Sequence, residues 1–392
     1  MDIQTIIKPA TLEEAFDIPI STTIIGNYDS KEDAKLILKR VNPDGSRTIL
    51  NYPNSENIDE ADVLLLSKIN KVTLTDKPIT ARDTKQFIPK PFIEANTQEV
   101  QLYNLKNDCV IPVFSKDNEK TIAHFEFINI TQECIAKVFP HHSLDKPEIR
   151  VSHQIKGRTP DALYKNVKDL LDHERTQYFE RMAFIIRIPS IVDTINGNEI
   201  ALCIGGVRSY NLENLYNKKS FEKFKFFIGF QVKVCCNLAV SSDGFIEEMR
   251  VSSYQELQSK ILEVLYNFNA EKQLAQMKQL SEHSLTEHQF ATLLGRTRLY
   301  QHIPKKDKLN IPALHFNDGQ LNTIAKDYYE DESFCRNNDG DINLWNVYNL
   351  FTQANKSSYI DTFLDRNVNA FDFTQGIQNT LISKSPYQWF LS

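Results

Sequence analysis

The stretch AFIIRIPSIVDTINGNEIALCIGGV, residues 183–207, decides the fold. Two runs rich in β-branched residues flank Ile195-Asn196-Gly197-Asn198. Asn-Gly between apolar runs is the strongest short-range hairpin signal, because both central residues of the tight turn need positive φ. Residues 183–189 and 199–207 are therefore expected to pair antiparallel, and a sheet entered through a hairpin is antiparallel rather than βαβ.

Further strands are expected on both sides of this hairpin. Upstream, residues 148–156 alternate Ile149, Val151, His153, Ile155, a strand pattern of period two. Residues 109–115 and 121–130 flank Lys116-Asp117-Asn118-Glu119-Lys120 and read as a hairpin with a longer loop, with Ala123, Phe125, Phe127 and Asn129 on one face. Between these regions Gly157-Arg158-Thr159-Pro160-Asp161 reads as a helix entry, with Thr159 as N-cap and Pro160 in the first turn. Leu163, Val167 and Leu170 would be its buried stripe. Downstream, residues 224–240 form a long or bent strand, and Asp243-Gly244 turns into another over 245–251.

Past residue 251 the pattern becomes helical. Ser253-Tyr254-Gln255-Glu256 and Thr286-Glu287-His288-Gln289 are capping boxes. A further helix is expected near 321–329. Two more lie within 341–381, with stripes Leu344, Trp345, Tyr348, Phe351 and Ile360, Leu364, Val368, Phe371. Strands with one or two helices, followed by a run of helices, specify an α+β fold built on an antiparallel sheet with a C-terminal helical region. The expected division is an N-terminal arm or small subdomain (1–95), an antiparallel α+β domain (96–251) and a helical region packed on it (252–392). Within the first part, Pro43-Asp44-Gly45 marks a turn between short strands, and a helix is expected around 58–69.

The composition excludes several classes of function. The chain has 392 residues, 41% hydrophobic and 24% charged, with a net charge of −6. It is ordinary in composition and long enough for a large core. An acidic chain cannot bind polyanions over its whole surface, so any nucleic-acid contact must be a local basic patch. Six scattered cysteines form neither C-x-x-C nor a disulfide framework, and reduced thiols in the cytoplasm are expected. No signal peptide or membrane span is evident, and neither a membrane partner nor a cofactor is expected. Walker, Rossmann, H-E-x-x-H, nucleophile-elbow and EF-hand patterns are all absent.

Four local patterns remain. Lys218, Lys219, Lys223 and Lys225 interleave with Phe221, Phe224, Phe226 and Phe227. In a single-strand nucleic-acid groove, lysines follow phosphates and rings stack on bases, at roughly 1–3 kcal/mol per base. The plainer reading is a strand with lysines in water and phenylalanines in the core. Lys156 and Arg158 precede the expected helix start, where free N–H groups favour anions; ordinary helix entry is the plainer reading. Arg208 follows Gly205-Gly206, a weaker anion site that also reads as a turn or bulge. Finally, Asp361, Asp365, Asn369 and Asp372 fall within roughly 80° of one another on a helix. Paired carboxylates there could hold a hard cation such as Mg²⁺; the plainer reading is a solvated helix face.

Several strings are distinctive together: Phe92-Ile93-Glu94-Ala95-Asn96-Thr97, Ile155-Lys156-Gly157-Arg158-Thr159-Pro160, Glu180-Arg181-Met182-Ala183-Phe184, Gly205-Gly206-Val207-Arg208-Ser209-Tyr210-Asn211, Phe227-Ile228-Gly229-Phe230 and the run from Trp345 to Arg366. On these, residues 90–392 resemble an uncharacterised domain family of conjugative and other mobile elements in intestinal anaerobic bacteria. Val234-Cys235-Cys236-Asn237 is similar to a Val-Cys-x-Asn pattern in a broader phage- or plasmid-related group. The resemblance implies a cytoplasmic protein of mobile DNA and no catalytic residues. The leading expectation is a non-enzymatic binder of single-stranded nucleic acid using Lys156, Arg158, Arg208, Lys218, Lys219, Lys223 and Lys225. The alternatives are a metal-dependent phosphodiester enzyme using Asp361 and Asp365, and a protein-interaction or anti-defence factor with a protein partner.

Overall fold

A computed structural model describes residues 91–110, 121–210 and 221–392 in full, and before them only the backbone of four strands. The chain divides into two compact units, Met1–Ile88 and Pro89–Ser392. In the first, β1 (Thr5–Ile7), β2 (Ile20–Ile24), β3 (Leu36–Val41) and β4 (Arg47–Tyr52) form a sheet of order β1-β4-β3-β2. β3 and β4 pair antiparallel; the expected Pro43-Asp44-Gly45 turn lies outside the described residues. The helix expected around 58–69 lies outside the described residues.

The second unit is built on a seven-stranded antiparallel sheet curled into a half-barrel. Its strands are β5 (Gln98–Val100), β6 (Glu148–Arg158), β7 (Arg175–Ile195), β8 (Asn198–Ser209), β9 (Glu222–Val232), β10 (Leu238–Ala239) and β11 (Phe245–Val251). The order is β10-β9-β8-β7-β6-β5, with β11 also on β9. The β7–β8 hairpin turns at Asn196 and Gly197, with φ of 47° and 77°. That is the left-handed pair a two-residue hairpin loop requires. From Ile200 to Ser209 every residue of β8 is buried, so both faces of the sheet are covered.

Two short helices precede β6: α1 (Leu102–Asn107) and α2 (His124–Val138). α2 covers one face: Phe127 meets the rings of Phe184 and Phe224 edge-on, with centroids 5.1 and 4.7 Å away. Gly206 makes that approach feasible, since a Cβ there would come within 2.5 Å of Phe127 Cζ. Gly205-Gly206 is therefore neither a strand end nor a turn but the thin middle of β8.

After the sheet come α3 (Tyr254–Asn267), α4 (Ala270–Ser281), β12 (Ser284–Leu285), α5 (Glu287–Tyr300), α6 (Asp318–Glu330), β13 (Ile342–Asn343), α7 (Leu344–Asn355) and α8 (Ile360–Ile382). β12 and β13 form a separate two-stranded ladder. The start of α8 covers the other sheet face: Ile360, Phe363, Leu364 and Val368 pack with Ala183, Ile185, Cys203, Val207 and Phe227. α7 is buried all round, with Trp345, Tyr348, Leu350 and Phe351 at 0% exposure. The fold is thus mixed α+β with a C-terminal helical region.

Both cap signals place helix starts correctly. Ser253 Oγ accepts the Glu256 N–H, and Thr286 and Gln289 close a reciprocal box. The Glu256 carboxylate reaches one residue further back than a box requires, to the Ser252 N–H at 2.8 Å.

Three sequence expectations are corrected. Residues 124–138 are a helix, not the second strand of a hairpin. The Ala123, Phe125, Phe127 alternation coincides with a stronger helical spacing, in which Phe127, Ile128, Thr131, Cys134 and Ile135 are buried. Glu126 accepts the Ala123 N–H at 2.8 Å and closes the helix start. The expected helix after Pro160 is likewise absent. Gly157 and Arg158 end β6, and the chain then makes only three short 3₁₀ turns, Pro160–Ala162, Val167–Asp169 and Asp172–Glu174. Leu163 and Val167 of the expected buried stripe are exposed. Residues 224–240, expected as one long or bent strand, fold back as β9 and β10.

Candidate functional site

The sequence-predicted bases are dispersed rather than gathered. On the face covered by α8, Lys225 donates to the Asp361 carbonyl at 2.9 Å and pairs with Asp365. Arg181 lies 2.9 Å from Asp361 Oδ2, and Ser209 donates to Oδ1 at 2.8 Å. The two carboxylates read as a cation site are thus each already held by a side-chain cation, and they clamp α8 to the sheet. Asn369, third on that helix face, bridges His315 N–H and Ala313 carbonyl at 2.9 and 2.8 Å. Burial raises the pKa of Asp372, the fourth.

Arg208 points to the opposite face and is 1% exposed. It pairs with Glu222 and donates to the Ile122 carbonyl. Its guanidinium sits 4.5 and 4.4 Å from the ring centres of Tyr210 and Phe224. Beside it His124, also buried, stacks on Tyr210 at 4.2 Å. His124 Nε2 faces the Phe179 carbonyl at 2.9 Å, so that nitrogen carries the proton. Burial, then the Arg208 charge, lowers the His124 pKa to about 3. Lys223 pairs with Glu248 at 3.2 Å on the surface. Arg158 donates to the Lys165 carbonyl. Lys156 is exposed on β6. Lys218 and Lys219 lie outside the described residues.

At Cys109, Cys134, Cys203, Cys235 and Cys236 the surroundings work against nucleophilic chemistry. Burial is the first cause of raised pKa at Cys109, Cys134 and Cys235, each to about 11, and it raises Cys203 further still. A thiol held protonated is a poor nucleophile and metal ligand. Among the described residues, no group of three or more His, Cys, Asp or Glu is placed to hold a metal ion.

The feature that does stand out is a finger at the end of β6 and β7. β7 pairs with β6 down to Arg175, but with β8 only from Arg181 onward. Residues 154–158 and 175–179 therefore run on as a ribbon, with the Val110 N–H on the Gln177 carbonyl at 2.9 Å beside it. Residues 159–174 close its tip.

The interior of the tip holds Ala162, Leu170 and the ion-paired Glu174, and hydrogen bonds tie it down. Glu174 is buried, accepts the Leu171 N–H at 2.9 Å and pairs with Lys165. The Lys165 hydrogen bond, followed by the backbone one, lowers its pKa. Thr159 N–H donates to the Glu174 carbonyl at 2.9 Å, and Arg175 donates to the Leu170 carbonyl at 3.3 and 3.2 Å.

The exterior of the tip carries four large apolar side chains among its charged ones. Leu163 is 69% exposed, Tyr164 83%, Val167 66% and Leu171 54%. Burying such a side chain is worth roughly 1.5–3 kcal/mol. Scattered exposed apolar residues need no explanation, but a group of them does. The four stand among the exposed charges of Asp161, Lys168, Asp169 and Asp172, while the small interior of the segment is filled by Ala162, Leu170 and Glu174.

Residues 73–391 match the family model described as "Domain of unknown function, B. Theta Gene description (DUF3871)". The chain belongs to this family. No curated protein and no solved structure matches it.

The DUF3871 match takes in the whole seven-stranded sheet, the helices on both its faces and the finger. Sequence reasoning missed the finger because its apolar residues sit at helical spacing. The signal was ambiguous by nature: 163, 167 and 170 would mark one face of a helix, and nothing local distinguishes that face from an outward one. The competing cue was the density of local side-chain acceptors, Asn166, Asp169 and Asp172, which favour turns over helix interior. No helix among the described residues of this DUF3871 chain is long and apolar enough to cross a membrane.

Proposed function

We propose that this DUF3871 protein is a non-enzymatic protein-binding factor that engages its partner through the apolar tip of the finger. The single observation carrying the reading is the exposure of four large apolar side chains, Leu163, Tyr164, Val167 and Leu171, within one short stretch of the tip. A contiguous apolar patch rimmed by polar groups is the mark of an interaction site. A setting in mobile DNA, which the sequence resemblance implies, accords with this, since blocking a host defence requires binding a host protein.

The experiment is retention of a defined protein partner by the tagged full chain after nuclease treatment, wild type against a Leu163→Ser, Tyr164→Ser double variant. The expected result is loss of the partner from a variant that melts like the wild type. Undiminished retention by the variant would overturn the reading.

A single-strand nucleic-acid role is the second reading. One observation favours it: Tyr164 is exposed on the same finger as the exposed bases Lys156, Lys168 and Arg175. It predicts binding that weakens steeply with salt and on Lys156→Ala; no shift of single-stranded DNA or RNA at low salt counts against it. The phosphodiester-enzyme reading draws least support, because Arg181 and Lys225 already occupy Asp361 and Asp365.

A further inference from the structure

We propose that the partner of the finger tip is the finger tip of a second copy of this chain, giving a weak two-fold dimer; this rests on the docking role argued above. The charges around the apolar cap select the partner. Exposed Asp161, Asp169 and Asp172 are matched by exposed Lys156, Lys168 and Arg175, although the chain as a whole carries −6. A cap with balanced charge gives a strongly basic or acidic partner nothing to recognise. It suits a two-fold contact, in which the same patch on both subunits must be complementary to itself and acids of one copy can meet bases of the other.

The outer edge of β6 is a competing docking element, and it is blunted. β5 pairs with β6 only at residues 149–151, after which His153 takes a left-handed φ of 57°. Lys156 and Arg158 follow. A kink and charges on an exposed edge discourage strand addition there, and on the β7 edge the Val110 N–H already takes the Gln177 carbonyl, so the cap is the stronger adhesive surface. Four side chains are a small patch beside the ~800 Å² per partner of a standard interface. The dimer is therefore reversible and concentration-dependent.

The test is sedimentation velocity of the full chain from about 1 to about 100 µM, a range spanning weak association. It is joined by mild oxidation of Tyr164→Cys, with Tyr266→Cys as an exposed control away from the finger. The expected result is a concentration-dependent dimer, weakened at least tenfold by Leu163→Asp. Tyr164→Cys, but not Tyr266→Cys, should give a disulfide-linked species of twice the mass. A monomer at every concentration, or a dimer indifferent to Leu163→Asp that leaves Tyr164→Cys unlinked, overturns the second-copy inference. If the chain is monomeric but the tip variant still loses a different protein in the retention experiment, the docking role stands and only the second copy falls. If neither dimer nor retained protein depends on the tip, both fall.

Discussion

Arg208 joins three elements with one side chain. From β8 it reaches Glu222 at the start of β9 and the Ile122 carbonyl just ahead of α2. Glu222 in turn accepts the Ile122 N–H at 3.2 Å. Removing one partner of a buried pair costs about 3–5 kcal/mol, because the other charge is left uncompensated. Arg208→Met should therefore lower stability by that order in a denaturant melt. A phosphate-contacting arginine would instead weaken binding with little effect on the melt, so this variant separates the two roles.

His124 makes a pH prediction at the same site. Its folded pKa of about 3 lies below the usual 6.5, and burial is the main cause. The unfolded chain therefore takes up a proton that the folded chain refuses. The stabilisation is fully present above pH ~6.5 and is lost as pH falls toward 3, with a slope of up to about 1.4 kcal/mol per pH unit. His124→Gln should flatten that part of the stability-against-pH curve. An unchanged slope would place the proton uptake elsewhere. Gly206 carries a third prediction. Gly206→Ala drives a methyl into Phe127, and overpacking of this kind costs about 1–3 kcal/mol in thermal or urea melts.

At the scale of elements, the most legible features were those whose signal is chemical rather than periodic. Asn196-Gly197 fixed the central hairpin, and Ser253 and Thr286 fixed two helix starts, because each supplies a backbone conformation or an acceptor that the chain needs locally. Ser253→Ala should cost about 1 kcal/mol, since it strips the Glu256 N–H of its acceptor. The paired helices α7 and α8 were legible from their stripes, and Trp345 is fully buried as expected. Trp345→Ala should cost about 3–5 kcal/mol in an equilibrium melt.

Periodicity failed where two periods fit the same residues. Ala123, Phe125 and Phe127 alternate as in a strand, yet Phe127, Thr131 and Cys134 follow a helix and pack on the sheet. At 163–170 the helical spacing is real but belongs to no helix. There Arg158, Lys165, Glu174 and Arg175 bind one another and the local backbone, contacts between residues too far apart to be read from a window. The candidate site was illegible for the same reason. The lysines of β9 looked like a basic patch because the sequence hides their partners, Glu248 for Lys223 and Asp361 and Asp365 for Lys225.

At the scale of the whole unit Pro89–Ser392, the sheet is covered on both faces and its charged side chains are largely turned to structural use. Arg181, Lys225, Asp361 and Asp365 clamp α8, while Arg208 and Glu222 clamp α2. What this economy leaves over is the finger, which extends beyond β8 and presents apolar side chains to water. If those side chains served folding, losing all four would cost several times the roughly 1.5–3 kcal/mol of a single core side chain. If they serve docking, the loss leaves stability nearly untouched, since exposed substitutions typically change it by less than about 0.5 kcal/mol each. The direct measurement is the urea-unfolding free energy of the full chain with Leu163, Tyr164, Val167 and Leu171 all replaced by serine. A change within about 1–2 kcal/mol of wild type is predicted; a loss of about 6 kcal/mol or more would assign the four side chains to the core and contradict the account.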